Sequence, residues 1–130
     1  MKIYILFLIS VISFSSTKPT SEVGDKIISA IKNGNAAGIA KHFNNKIDLK
    51  VLDKEDVFSD AQAETVLKDF FSKHRVNSYS ITHSNDQKNG TEFISGNLVT
   101  NSGKFRISFL IKKIDAKYLI SQFRIENEKN

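Results

Sequence analysis

Tyr79 and His83 are the residues of this chain whose types and spacing come nearest to a catalytic pair. Both occupy alternate positions of a predicted strand, so a phenol and an imidazole are expected to project from one face. Together they would orient a ligand carbonyl or transfer a proton. The alternative is that both are amphipathic side chains at the rim of a core, satisfied by backbone or water. We favour this alternative, because neither residue has a visible partner that would tune its pKa.

No other group of residues predicts a metal or cofactor site. His42 and His74 are single histidines at helix ends, and the spacing of the three histidines is not that of metal ligands. Asp53, Glu55 and Asp56 form a local acidic cluster, but it lacks the glycine and the terminal glutamate of a calcium-binding hand loop. We therefore predict no metal, no cofactor and no catalytic residue.

Three helices are predicted in the first half of the chain. The first follows its cap, Ser21, and ends at Gly34, and Asn35 caps a second, shorter helix. Ser59 and Gln62 have the spacing of a capping box that opens the third helix. Its apolar face is predicted to consist of Ala63, Val66, Leu67, Phe70 and Phe71.

Strands are predicted from residues that alternate between apolar and polar. One strand, at 47–51, precedes a charged loop at 53–56, and the remaining strands follow His74. They are expected around 79–83, 92–100, 105–111 and 118–126, joined by turns at 89–90, 101–103 and 115–116. Helices gathered on one face of an antiparallel meander predict an α+β domain.

The first fifteen residues have the features of a secretory signal peptide. Lys2 precedes an apolar run at 3–9, and small residues follow at 13, 15 and 16. The alternative, a retained anchor, is less favoured because the run is shorter than the roughly 20 residues that span a bilayer. We predict cleavage after Ser15, an exported periplasmic or extracellular protein without stable membrane insertion, and a single domain at 16–130.

Composition excludes several classes of function. The 130 residues contain no cysteine, which rules out disulfides and thiolate metal sites. The net charge is +5 for the whole chain, and +4 without the leader, from 18 basic and 14 acidic residues. This excess of positive charge is much smaller than that of a dedicated nucleic-acid-binding protein, so no nucleic-acid partner is predicted.

The order of elements resembles that of the nuclear-transport-factor-2-like, or cystatin-like, superfamily. More closely, the chain resembles an uncharacterised family of short exported bacterial proteins with a domain of unknown function. The resemblance covers nearly the whole mature chain and is carried by LDKEDVFS at 52–59, AQAE at 61–64, KDFF at 68–71, GNLVT at 96–100, GKFR at 103–106 and KYLI at 117–120. It implies a cone in which a curved antiparallel sheet wraps the third of three N-terminal helices and often encloses a pocket.

A pocket of this kind would be lined mainly by hydrocarbon. The predicted ligand-binding residues are Tyr79, His83, Phe70, Phe105, Phe109 and Phe123. We expect a non-catalytic module that binds an apolar small molecule or a cell-envelope partner. The alternative is an isomerase or dehydratase using Tyr79 and His83. The resemblance implies that such an enzyme needs a buried carboxylate, so Asp48 or Glu92 would have to turn inward.

The outer face of the predicted sheet mixes apolar and basic groups, which is the composition of an interface. The predicted interface residues are Arg106, Leu110, Tyr118, Ile120 and Arg124. Members of the superfamily pair through this sheet, so the resemblance favours a homodimer. Scattered surface hydrophobic residues are the alternative interpretation.

Overall fold

The computed structural model describes residues 19–85 and 88–128, so the predicted signal peptide lies outside the described residues. Within those ranges, no helix combines the length and the hydropathy needed to cross a membrane. The first half of the chain contains α1 (Glu22–Lys32), α2 (Ala36–Ala40), β1 (Phe43–Val51), β2 (Lys54–Ser59) and α3 (Asp60–Lys73). The second half contains β3 (Val76–Ser84), a 3-10 turn (Lys88–Gly90), β4 (Thr91–Thr100), β5 (Gly103–Ile114) and β6 (Lys117–Asn127).

The first two helices form the predicted hairpin. The Ser21 hydroxyl accepts a hydrogen bond from the Gly24 amide at 2.9 Å, and the Asn35 side chain accepts one from Gly38 at 3.0 Å. Gly34 lies between the two helices with φ at +60°, a conformation that favours glycine. Both caps and the end of the first helix are therefore confirmed.

The third helix begins with the capping box that its sequence predicts. The Ser59 hydroxyl accepts from the Gln62 amide, and the Gln62 side chain accepts from the Ser59 amide, both at 3.2 Å. Ala63, Leu67 and Phe70 are buried on one face of this helix. These three residues form the buried face of α3.

The six strands form one sheet in the order β2-β1-β6-β5-β4-β3. The predicted α+β class, with helices packed on a curved sheet, is confirmed. One pair differs from the predicted antiparallel sheet, because β1, the second strand in this order, lies parallel to β6, the third. This pairing places Leu49 beside Phe123 and Val51 beside Ile125, which buries the apolar side of β1 against the core.

The charged loop predicted at 53–56 is wrong, because three of its residues belong to β2. Leu52 has φ at +57°, and the chain turns sharply there. Val51 then pairs with Lys54, and Lys50 pairs with Glu55. The sequence signal was weak because β2 is an edge strand whose first four side chains are exposed, so no apolar alternation marks it.

The β-bulges at Thr82 and Ser121 decide which of the side chains around them face the helices. We call the face of the sheet toward the helices the inner face, and the opposite one the outer face. On β5, Phe105, Ile107, Phe109 and Ile111 point inward as predicted. A bulge shifts the register of a strand by one residue, so the residues beyond it change faces.

The bulge in β6 moves Ile120 from the predicted outer face to the core. Leu110 pairs with Gln122, but Ile111 pairs with Ile120, which leaves Ser121 as the additional residue. Ile120 is fully buried. Its assignment to the interface is therefore wrong.

Candidate functional site

Tyr79 lies inside the domain and spans three strands. Its ring passes over Gly96 of β4, where an added Cβ would lie 2.8 Å from two ring carbons. Its hydroxyl then donates a 2.8 Å hydrogen bond to the carbonyl of Ile107 on β5. The side chain is 3% exposed, and burial raises the pKa of the phenol well above its usual range. Tyr79 is therefore a satisfied core residue with its proton engaged.

His83 lies on the outer face, which contradicts the prediction that it shares a face with Tyr79. Ile81 pairs with Gly96 and His83 pairs with Ser95, so Thr82 is the additional residue of a bulge. As a result Ser84, not His83, is buried. Among the described residues, none hydrogen-bonds the His83 ring, which lies 6.1 Å from the ring of Phe93. The phenol and the imidazole cannot act on one substrate atom from opposite faces.

The four phenylalanines predicted to line a pocket pack against one another or their neighbours. Phe70 contacts Phe105 edge to face at a centroid distance of 5.2 Å, and Phe109 stacks on Phe123 at 6.0 Å. All four are buried in one continuous cluster. Among five cavities found in the described part of the chain, Phe70 lines one and His83 another, while the other four predicted ligand-binding residues line none.

Glu92 of β4 faces inward, although the strand faces predicted from the sequence did not place a carboxylate inside the domain. It is 3% exposed and lies on β4, two residues before the buried Ile94. Its carboxylate accepts hydrogen bonds from the Ser21 amide at 2.9 Å and the Ser21 hydroxyl at 2.6 Å. Gly24 allows this approach, because a Cβ there would lie 3.2 Å from the carboxylate. Glu92 thus fastens the start of α1 to the sheet, where a negative charge also complements the helix dipole.

A cavity of about 350 Å³ adjoins this contact and is lined in part by Ser21, Glu92, Ile111 and Tyr118. The other carboxylate considered for catalysis, Asp48, points to the outer face, where it pairs with Gln122 of β6. Glu92 is bound to Ser21 and Asp48 is on the far side of the sheet from Tyr79. The structure therefore brings neither acid together with the predicted pair.

An open groove of about 610 Å³ lies on the outer face and is lined largely by polar residues. We call it the outer groove. It is lined mainly by His83, Ser95, Asn97, Arg106, Ser108 and Arg124, and Glu126 and Glu128 also reach it. Four neighbouring strands, β3 to β6, supply these side chains. The groove was not predicted as a site, because its residues meet only through cross-strand pairing.

The ion pairs along this face are unevenly distributed. Glu126 accepts from Lys50 at 3.2 Å and lies 3.6 Å from the Nε of Arg124. Arg124 also lies 3.5 Å from Glu55, at the edge strand. The hydrogen bond from Lys50 holds the pKa of Glu126 below its usual value, with Arg124 contributing in the same direction. Among the described residues, no carboxylate lies within 4.0 Å of Arg106.

Apolar groups also reach the outer face. Val57 of β2 is 61% exposed on this face. Tyr118 is 47% exposed but lies on the helix side of the sheet, because it is two residues from the inward Ile120 and lines the cavity beside Glu92. Leu110 is half-buried and pairs with Phe93 of β4 and Gln122 of β6. Of the five predicted interface residues, Arg106, Leu110 and Arg124 thus remain on this face. The assignment of Tyr118 to the outer face is wrong for the same reason as that of Ile120, because both precede the bulge at Ser121.

The other two histidines have structural environments. The ring of His74 packs between Phe70 and Phe105 and hydrogen-bonds the Ser102 hydroxyl. The Nε2 of His42 is buried without a hydrogen-bond partner among the described residues. Burial, and then the nearby Lys41 and Lys26, lower the pKa of His42. Within the described ranges, no three histidine or acidic side chains group as metal ligands would.

The chain matches one protein family. The sequence model of a domain of unknown function (DUF4783) matches residues 24–126. No curated protein matches the chain. The match begins at the third residue of α1 and ends one residue before the end of β6, in agreement with the resemblance expected from the sequence.

Solved structures support the same family and fold. A DUF4783 family protein from Bacteroides uniformis is 31% identical, with a TM-score of 0.79, over 84% of this chain and 100% of that one. A second, from Bacteroides fragilis, is 31% identical, with a TM-score of 0.72, over 79% and 96%. A protein of unknown function from Shewanella oneidensis, described as NTF-2 like, is 13% identical, with a TM-score of 0.58, over 82% and 94%. The last likeness shows the fold, and the predicted nuclear-transport-factor-2-like cone is confirmed.

Proposed function

We propose that this chain, which belongs to the DUF4783 family, is an exported, non-catalytic interaction module that acts through the outer face of its sheet. The observation that carries the proposal is the contrast between the two faces. Apart from the cavity beside Glu92, the inner face is covered by packed side chains, whereas the outer face presents the exposed Val57 and the half-buried Leu110 beside charges of both signs. The signal peptide predicted at 1–15 supports the exported location.

Several contacts argue against catalysis or apolar-ligand binding inside the cone. The Tyr79 phenol is engaged with Ile107, and Glu92 is engaged with Ser21. A substrate in the interior would have to displace these hydrogen bonds and the packed phenylalanines. The alternative of an isomerase or dehydratase that uses Tyr79 and His83 is also disfavoured, because the two side chains lie on opposite faces of the sheet.

The partner that this face fits is a second copy of the chain. A twofold axis brings the same patch together with itself, so a self-complementary surface needs both signs of charge. Arg106 and Arg124 on the outer face are balanced by Glu55 and Glu126. Leu110 and the exposed Val57 add apolar area, and arginine is among the residues enriched at interfaces.

Native mass spectrometry of protein purified from its exported fraction tests this proposal. We expect a subunit mass that begins at Ser16 and a dimer as the main species. Leu110→Glu places a charge on the proposed interface and should give a monomer with unchanged circular dichroism. Thr65→Glu, on the exposed side of α3, is the matched control and should remain dimeric.

A monomeric wild-type protein at high micromolar concentration would overturn the pairing. Equal loss of the dimer in both variants would show that added charge, not the outer face, is responsible. A subunit mass that retains residues 1–15 would contradict the export step separately from the pairing.

A further inference from the structure

We propose that the outer groove binds the oxyanion of a small ligand, a phosphate or a carboxylate, between Arg106 and the hydroxyls of Ser95 and Ser108. This site goes beyond the proposed pairing. It shares Arg106 with the proposed interface, so a ligand and a second copy of the chain would compete for this face.

Strand register aligns the donors of this site. His83 pairs with Ser95, Ser95 pairs with Ser108, and Ser108 pairs with Arg124, so one residue from each of four strands forms a row across the outer face. Neighbouring strands lie about 4.8 Å apart. The row therefore offers donor groups at regular intervals along the groove, and both bulges described above contribute to its position.

The two serines form the floor of the groove. Each is 8% exposed, and among the described residues none hydrogen-bonds either side-chain hydroxyl. Directly opposed side chains on neighbouring strands have Cβ atoms about 5 Å apart, so both hydroxyls can donate to one tetrahedral or planar anion. Both serines line the open groove, so their hydroxyls can donate to an oxyanion bound there.

Arg106 provides the charge that this anion requires. Its cross-strand neighbours are Asn97 and Glu126, and Glu126 is the carboxylate expected to neutralise it. Glu126 is instead engaged by Lys50 at 3.2 Å and by Arg124 at 3.6 Å. Arg106 thus remains exposed beside the two hydroxyls, with its planar guanidinium available for two parallel hydrogen bonds to an oxyanion.

The acidic residues at the groove restrict the size of the ligand. Glu126 and Glu128 line the same concavity as Arg106. A polyanion such as a nucleic acid would meet their charges, whereas a single oxyanion can bind at the serines without extending that far. The volume of about 610 Å³ suits a small molecule that carries one such group.

Amide chemical-shift titrations of the isotope-labelled protein test the site, using inorganic phosphate in one arm and succinate in the other. Total ionic strength is held constant with sodium chloride. We expect saturable shifts at Ser95, Arg106 and Ser108 with at least one probe, and saturation by one probe alone identifies the preferred oxyanion. Arg106→Gln should weaken binding about tenfold, as removal of one charge-assisted contact does. Arg75→Gln, at an exposed arginine outside the groove, should leave binding unchanged.

The same titration on Leu110→Gln separates ligand binding from pairing, because this variant removes apolar area from the proposed interface without adding a charge beside Ser108, and the groove should then bind at least as tightly as in the wild type. Failure of both probes to saturate below roughly 10 mM in both backgrounds would overturn the site. Equal weakening by Arg106→Gln and Arg75→Gln would also overturn it, because that result indicates a general charge effect.

Discussion

Replacing Gly96 with alanine tests whether the interior is packed by Tyr79. A Cβ at this position would lie 2.6 Å from the carbonyl oxygen of Ser80 and 2.8 Å from two carbons of the Tyr79 ring. Both separations are shorter than van der Waals contact. The buried ring has no free space into which to retreat, so it should move off Gly96 and lose its hydrogen bond to Ile107.

The expected cost follows from three contributions. Overpacking a well-packed core costs about 1–3 kcal/mol, and loss of a buried hydrogen bond adds about 1 kcal/mol. Replacing a glycine in a strand offsets about 0.5–1 kcal/mol of this cost, because the unfolded chain loses conformational freedom. The free energy of unfolding should therefore fall by about 2 kcal/mol, which for a domain of this size lowers the melting temperature by about 8 °C.

Urea unfolding followed by far-ultraviolet circular dichroism measures this change. Tyr79→Phe removes only the hydroxyl and should cost about 1 kcal/mol alone. In that background the hydrogen bond is already absent, so Gly96→Ala should cost about 1 kcal/mol less than in the wild type. A cost below about 0.5 kcal/mol for Gly96→Ala, or the same cost in both backgrounds, would refute the packing of Tyr79 over Gly96.

Two further predictions concern buried polar groups. Glu92→Ala should lower the free energy of unfolding by about 2–3 kcal/mol in urea titrations, because the amide and hydroxyl of Ser21 lose a charged acceptor, whereas Glu92→Gln should cost less because its amide oxygen can still accept. Equal costs for the two variants would show that the hydrogen bonds from Ser21 to Glu92 do not cause the loss of stability. The pKa of His42 is lowered from its ordinary value of 6.5, so the unfolded state binds the proton more readily and stability should fall as the pH drops below about 6.5. Between pH 7.5 and pH 5.5 the melting temperature of His42→Gln should fall by less than that of the wild type. An equal fall would contradict the role of His42 in this pH dependence.

Local features of the chain were predictable because their causes are local. The capping box at Ser59 and Gln62 depends on residues three positions apart, and both caps of the helical hairpin are equally close in sequence. The alternation from Phe105 to Ile111 reports which face of one strand is buried. Together with the motifs shared with the family, these signals were enough to predict the helices, most of the strands and the α+β cone.

The candidate sites depended on register, which short-range patterns do not specify. The bulges at Thr82 and Ser121 each insert one residue, and each exchanges the faces of the residues around it. Alternation continued through Thr82 therefore placed His83 inside, and alternation continued through Ser121 placed Ile120 outside. Neither bulge contains a glycine or proline that would have marked it in the sequence.

The sequence by itself determined the helix caps, the apolar core of β5, the family and the class of fold, because each follows from neighbouring residues or from shared motifs. Only the tertiary structure decided that β1 lies beside β6, that Glu92 fastens α1, and that Arg106 lies next to two opposed serines. These arrangements join residues far apart in the chain. Their energies come from burial and cross-strand pairing, which exist only once the whole sheet has formed.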